Sequence, residues 1–226
     1  MMREFDIGYP HSKSPRPIKK GSRVNIHNKI IAWEQGQSFY DGPRSSGYGG
    51  FTYDGRWKKI LPTIIKEYDL DNNSAVLEVG SKKGFFLHDL KQALPGIKVR
   101  GLEMSSYPIE NTMESVKEFV QIGEYDSLPF RDNEFDFVLA FACVYILNLK
   151  GVIDCLSEIQ RIGKGKSYIT VGAYRTEEEK NLFLEWTLLG TTVLHVDEWL
   201  QVFEAAGYTG DYYFTTASSL NLLRES

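Results

Sequence analysis

Seven consecutive residues, Glu78-Val79-Gly80-Ser81-Lys82-Lys83-Gly84, place an acid, two glycines and two bases in one short stretch. The apolar run SAVLEV (74–79) leads into them and FFLHDLKQAL (85–94) leads out, which predicts strand, glycine turn and helix. Glycines in such a turn let the backbone approach a ligand closely. Roughly 20–25 residues further on, Glu103 ends a second apolar run, where a carboxylate can accept both hydroxyls of a ribose. A third run ends in Gly123-Glu124-Tyr125. Each feature alone is ordinary. Their order fits a nucleotide-type cofactor lying across the carboxyl ends of successive strands.

The elements that must position these residues are legible as a pattern. Trp57, Ile60, Leu61, Ile64 and Ile65 recur at helical spacing. KVRGLEM (98–104), VQIGEY (120–125), FDFVLAFAC (135–143), SYITVGAY (167–174) and the region of DYYFTT read as strands. Helices are predicted over 107–120, 152–161, 177–189 and 197–206. This alternation predicts an α/β fold with a doubly wound, mostly parallel sheet. The last strands are expected to form an antiparallel C-terminal edge. Residues 1–50 are irregular, with a short helix expected between 25 and 39, and read as a partly ordered arm or lid. The catalytic domain is expected over 51–226.

Composition narrows the function. The 226 residues are 42% hydrophobic and 13% aromatic, enough for a core. No run is long enough to span a bilayer, and MMREFDIGYPHSKSP has no apolar signal-peptide core. Cys143 and Cys155 sit in apolar contexts without metal or redox spacing, which fits reduced core residues in a cytoplasmic protein. His11, His27, His88 and His195 form no metal-ligand pattern. Net charge is −4, with +4 on residues 1–50 and −8 on the rest. An acidic body argues against nucleic acid as the partner. The basic stretch RPIKKGSR (16–23) reads as a solvated tail, a cover for an anionic substrate, or an RNA contact.

LEVGSKKG, GLEMS, GEYDSLPFRDNEFDFVLA and EWLQVFEAAGYTGDY together resemble class I S-adenosylmethionine-dependent methyltransferases of the type 11 group over residues 55–215. That resemblance implies a Rossmann-like, seven-stranded sheet. Glu78, Gly80 and Gly84 match the family's glycine loop, and Lys82 replaces its central glycine. Lys82 and Lys83 are expected to point to solvent. GYGGFTYDGRW further resembles a branch found in bacterial surface-polysaccharide gene clusters. By resemblance, Gly80, Ser81 and Gly84 contact the methionine part of the cofactor, with Phe141 nearby. Glu103 holds the ribose, Met104 packs on the adenine, and Glu124 takes its amino group beside the Tyr125 backbone. Glu78 suits a cofactor carrying an ammonium and a sulfonium. A nicotinamide dinucleotide brings a pyrophosphate instead, which wants a helix N-terminus and no nearby acid.

Methyl transfer from a sulfonium is an in-line displacement that depends mainly on positioning. Candidate catalytic residues are Tyr145, His195 and His27. Tyr53, Arg56, Tyr174 and Arg175 are candidate substrate contacts, and Arg175 has the fork geometry for a phosphate or carboxylate. Trp57 reads as core or pocket mouth. FLEWTLLG (183–190) reads as core or lid and is a candidate homodimer face. The expected acceptor is a polar small molecule, sugar-linked or phosphorylated, methylated on oxygen or nitrogen. The rival readings are a non-catalytic scaffold of the same fold, an RNA or protein methyltransferase, and a nicotinamide dehydrogenase.

Overall fold

The protein is described by a computed structural model covering residues 2–10, 14–19 and 21–225. His11 lies outside the described residues. The arm is ordered by short elements. Arg16–Ile18 is β1, and α1 (Ile26–Glu34) and α2 (Gln37–Tyr40) follow. The Asn25 side chain accepts from the Asn28 N–H and so caps α1. The single expected helix is split in two because Gln35 turns left-handed, with φ 46°, ahead of Gly36.

A 3₁₀ turn at Arg56–Lys59 leads to α3 (Leu61–Glu67). Then β2 (Ala75–Val79), α4 (Phe85–Ala93), β3 (Lys98–Glu103), α5 (Ser106–Glu110) and β4 (Val120–Ile122) alternate. They are followed by β5 (Phe137–Ala140), α6 (Leu149–Ile162), β6 (Ser167–Tyr174) and α7 (Glu177–Trp186). The chain ends with β7 (Leu194–His195), α8 (Val196–Ala205), β8 (Asp211–Thr215) and β9 (Leu222–Arg224). The helix expected over 107–120 stops at Glu110. Beyond it the backbone bonds elsewhere: the Met113 N–H donates to the Lys83 carbonyl at 3.0 Å, which ties this segment to the glycine loop.

The result is a Rossmann-like, doubly wound sheet of seven strands in the order β4-β3-β2-β5-β6, with β7 and β8 both pairing with β6. Among the described residues every ladder in it is parallel. The C-terminal edge strand, expected to be antiparallel, pairs parallel with β6 from Tyr168–Asp211 to Gly172–Thr215. Helix α8 is the reason. A helical crossover returns the chain in the starting direction, whereas an antiparallel neighbour needs a hairpin.

The β5 residues Phe137–Ala140 are wholly buried, as a central strand requires. One core cluster packs α6 and α8 against one face, and a second packs α3 and α4 against the other. In α6 the stripe Val152, Leu156, Ile159 and Ile162 is fully buried, each worth roughly 1.5–3 kcal/mol. The arm closes the outer edge of β8: Phe5 N–H donates to Tyr212 O at 2.8 Å and Tyr212 N–H to Arg3 O at 3.1 Å. An unpaired strand edge is thereby covered. Further along, β1 pairs with β9.

Candidate functional site

The loop Glu78–Gly84 crosses the carboxyl end of the sheet between β2 and α4. Its backbone is left-handed at every second residue, with φ 73° at Gly80, 52° at Lys82 and 72° at Gly84. A Cβ at Gly80 would lie 2.6 Å from the Cys143 Cβ, so only glycine fits there. Lys82 fills the remaining left-handed position, which costs an L-residue roughly 1–2 kcal/mol.

The expectation that both lysines reach solvent is corrected here. Lys82 turns its side chain inward and donates to the carbonyls of Gly80 at 3.1 Å and Phe141 at 3.0 Å. Its own N–H donates to Glu103 Oε2 at 2.8 Å. These three bonds offset the backbone cost. Lys83 also turns inward, donating to both Asp41 carboxylate oxygens at 2.7 and 2.8 Å. Asp41 further accepts from the Tyr107 hydroxyl and the Phe51 N–H, so one carboxylate joins the glycine loop to the arm.

Glu78 is 4% exposed, and its Oε2 has no hydrogen-bond partner among the described residues. Burial pushes its carboxyl well above the usual range; Lys82 opposes this and Glu103 adds to it. For Lys82, burial works against the charge, but Tyr48, Cys143, Glu103 and Glu78 outweigh it and raise the ammonium. Glu103 is 1% exposed. Its Oε1 accepts from Met104 N–H at 2.8 Å, Tyr125 hydroxyl at 2.9 Å and Ser105 N–H at 3.4 Å. Among the described residues Lys82 N–H is the single donor to Oε2. A carboxylate offers about four lone-pair sites, so Oε2 keeps one lone pair free, but Glu103 does not line the cavity that opens beside the loop, and a ribose hydroxyl reaches it only if the surrounding side chains shift.

A cavity of about 230 Å³ opens beside this loop. Glu78, Ser81, Lys82, Phe141 and Ala142 form its sheet side, and Tyr9, Arg44, Tyr48, Phe51, Arg56 and Trp57 form its arm side. It is smaller than the ~300–1,000 Å³ of most ligand pockets, because the Lys82 side chain and the arm both intrude. A larger depression of about 710 Å³ lies on the loop leading into β5, lined by Leu128–Arg131 and Glu134, with no loop or arm residue in it.

Glu78, Ser81, Phe141 and Arg56 therefore meet at one cavity, flanked by Gly80 and Gly84. Met104, Glu124 and Tyr125 lie at the ends of β3 and β4, outside it. There Tyr125 is tied to Glu103 through its hydroxyl, and Glu124 is exposed. Tyr53 donates to the buried Asp89 at 2.5 Å instead of lining the cavity. Tyr145 is buried, its ring 6.2 Å from Phe183, and burial holds its hydroxyl above the ordinary tyrosine value. His27 is exposed on the first turn of α1. His195 caps α8, its ring accepting from Asp197 N–H at 3.3 Å. Arg175 pairs with Glu4 at 3.1 Å and covers Phe214, and Tyr174 meets the His195 ring edge-on at 5.6 Å with Lys180 Nζ over its face.

Sequence reasoning missed Tyr9, Arg44, Tyr48 and Phe51. Their signal is the clustering of aromatics with glycines in GYGGF and the isolated Tyr9, without periodicity. Phe141 shows how the wall is built: its ring sits 4.4 Å from Tyr9 and 5.2 Å from Trp57.

A glycine loop after the first sheet strand, an acid ending the second and a buried acid facing the cavity, one oxygen of which has no hydrogen-bond partner among the described residues, are chemically suited to a cationic nucleoside ligand. Residues 77–171 match the family model described as a methyltransferase domain. Over 118 residues the chain is 29% identical to the demethylmenaquinone methyltransferase of Thermotoga maritima, covering 50% of each chain. The chain thus spans about half the length of that curated relative. YcgJ of Bacillus subtilis superposes with a TM-score of 0.53 at 19% identity, over 65% of this chain and 66% of that one. A chain of the complex between the Haloferax volcanii Trm112 methyltransferase activator and a methyltransferase gives 0.50 at 23%, over 68% and 73%. Residues 77–171 are thus similar to a methyltransferase domain, and the sheet that carries them has the fold of these solved structures.

Proposed function

We propose that the chain transfers a methyl group from S-adenosylmethionine to an oxygen or nitrogen of a polar small molecule, sugar-linked or phosphorylated. One observation carries this reading: a single cavity is walled by the glycine loop on one side and by Arg44, Arg56 and aromatic arm residues on the other. The bound donor supplies an electrophilic methyl on a sulfonium. The chain's part is to seat the donor, exclude water and orient the acceptor. Glu78 offers an unpartnered carboxylate oxygen to the donor's cationic end, and Glu103 offers Oε2 to the ribose once its surrounding side chains shift. Residues 1–50 act as the lid, latched by Asp41 on Lys83. Arg44, with the Arg56–Asp54 ion pair beside it, makes the mouth polar, which suits a polar acceptor better than a demethylmenaquinone. The polysaccharide-cluster branch and a cytoplasmic site of action belong to the same reading; the second rests on the buried, unpaired Cys143 and Cys155.

The donor cannot enter while the Lys82 ammonium sits on the Gly80 and Phe141 carbonyls. In this reading Lys82 withdraws when the donor binds. The same contact favours a second reading, a scaffold in which Lys82 has filled the cofactor seat for good. Calorimetric titration with S-adenosylmethionine, S-adenosylhomocysteine and NAD separates the two. Micromolar binding of the first two and none of NAD is the expected result. No binding by a folded sample selects the scaffold.

A further inference from the structure

Helix α1 is turned inside out. Its polar Asn28 and its Ala32 are buried, and the Asn28 amide donates to the Arg23 carbonyl at 2.7 Å. Ile26, Ile30 and Trp33, spaced i, i+4, i+7, share the opposite face and are 68%, 48% and 57% exposed. A helix on the surface of a globular protein normally carries the reverse pattern. Three large apolar side chains in one stripe also exceed the single, scattered exposure that any surface shows.

The same segment holds the basic excess of the chain. Residues 16–34 carry five Lys/Arg against Glu34 alone, so all of the +4 of residues 1–50 lies there, beside a body of −8. Arg23 is spent internally. It donates to the carbonyls of Trp186 at 2.9 Å, Gly47 at 3.3 Å and Arg44, and so holds the strap 44–47 against α7. Lys19 is exposed and Lys29 flanks the stripe; among the described residues neither ammonium has a hydrogen bond or ion pair. A basic segment with an apolar helical face suits an anionic lipid surface: the apolar side enters the headgroup–acyl boundary and the lysines meet the phosphates. A second copy of the chain suits it less. A two-fold contact would set this +4 segment against itself. The stripe also offers only on the order of 400 Å², short of the roughly 800 Å² per partner that a stable dimer buries.

We infer that the outer face of α1 is a docking surface for an anionic lipid bilayer, with Ile26, Ile30 and Trp33 in the headgroup–acyl boundary and Lys19 and Lys29 on lipid phosphates. The helix lies on the bilayer; among the described residues no helix is long and apolar enough to cross one. Gln35, at the end of α1, accepts from Ser105 Oγ at 2.8 Å, and α2 and the arm wall of the cavity follow directly. Docking therefore holds the arm, and not the sheet, against the lipid. The inference does not rest on the methyl-transfer reading.

The test is co-sedimentation of the full chain with vesicles of phosphatidylcholine alone and of phosphatidylcholine and phosphatidylglycerol in equal parts. The chain should bind the mixed vesicles, less so as salt rises, and leave the neutral ones. Ile30→Glu should weaken the partition about tenfold or more, and Lys29→Gln about fivefold. Leu200→Glu, an exposed apolar position on α8, should change nothing. Tryptophan emission should shift to the blue on the mixed vesicles, and Trp33→Phe should remove most of that shift. Circular dichroism and Tm of each variant separate lost binding from lost folding. No binding to the mixed vesicles, or equal binding by folded Ile30→Glu, overturns the inference. Equal binding to both kinds of vesicle overturns the anionic partner. A loss in Lys29→Gln with none in Ile30→Glu would make the segment a site for soluble polyanions such as RNA. A dimer seen by light scattering that Ile30→Glu abolishes would give the face to a second copy; both outcomes overturn the bilayer.

Discussion

The two walls of the cavity are built by different physics. On the sheet side, Glu78–Gly84 is held by backbone: three left-handed residues, N–H bonds from Gly80 and Ser81 to Leu102 O, and a carboxylate that takes three N–H groups. On the arm side, residues 36–54 are held by side chains. Tyr40, Tyr48, Phe51 and Phe85 pack ring against ring in sequence, and Arg23 and Lys83 pin the strap. A backbone-built wall is fixed before any ligand arrives. A wall of rings and ion pairs can open and close without disturbing the sheet. The comparison predicts that damage to the first should cost fold and donor binding together, and damage to the second should separate them.

The largest effect should come from Gly80→Ala. The new Cβ overlaps Cys143 at a φ that alanine resists. A loss of about 3 kcal/mol in stability and complete loss of S-adenosylhomocysteine binding are expected, by denaturant melts and calorimetry. Retained binding would show that the loop is not the rigid wall.

Asp41→Asn tests the other wall. Burial alone would raise the Asp41 carboxyl, but Lys83, Tyr107 and the Phe51 N–H outweigh it and hold it below its ordinary value. A depressed carboxylate contributes stability that is present above the unfolded value and lost as pH falls through the folded one. Wild type should therefore exceed the variant by about 1–2 kcal/mol at neutral pH, after solvent screening. The two curves should converge as acid protonates Asp41. Limited proteolysis should cut the arm of the variant first, with the domain from residue 55 onward intact. A pH-independent gap would break the latch.

Legibility follows the same division. Glycine spacing, apolar runs and acids at strand ends announce backbone-built structure, so the strands, the loop and Glu103 were readable. Two backbone details were not. The direction of β8 depends on the helix that precedes it, and α5 ends early because Met113 prefers the Lys83 carbonyl. The arm was unreadable for a physical reason: Tyr9 and Tyr48 reach the cavity only through tertiary packing, and no local period encodes that. Arg175 and His195 looked chemical because of their type and their place after strands. Their partners, Glu4 and the α8 backbone, could not be foreseen from spacing. Lys82 was misread because its acceptors, Gly80 O and Phe141 O, come from two different strand ends.

Lys82 is a part of the sheet wall held by a side chain as well as by backbone, since its backbone shapes the loop and its ammonium lies on the Gly80 and Phe141 carbonyls at the cavity. Lys82→Gly keeps the left-handed turn at lower cost and removes the inward ammonium. Donor affinity should rise about tenfold, the value of one charge-assisted hydrogen bond no longer displaced. The gain should appear in the dissociation constant for S-adenosylhomocysteine, with the wild-type fold by circular dichroism. An unchanged constant would mean that the donor never competes for those carbonyls.

The smallest effect is expected at His195, where type suggested a base and the structure gives a cap. The ring accepts from the Asp197 N–H, and Glu198 reaches back to the His195 N–H at 2.8 Å, so two unsatisfied donors of α8 are covered reciprocally. Removing half of that arrangement with His195→Ala should cost about 1 kcal/mol in a denaturant melt. His195→Asn, which keeps a cap acceptor, should restore most of it. Donor binding should be unaffected in both, because the ring lines no part of the cavity. If asparagine restores stability while methyl transfer stays lost in both variants, the residue does chemistry as well as capping, and the acceptor must extend past the arm to the end of β6.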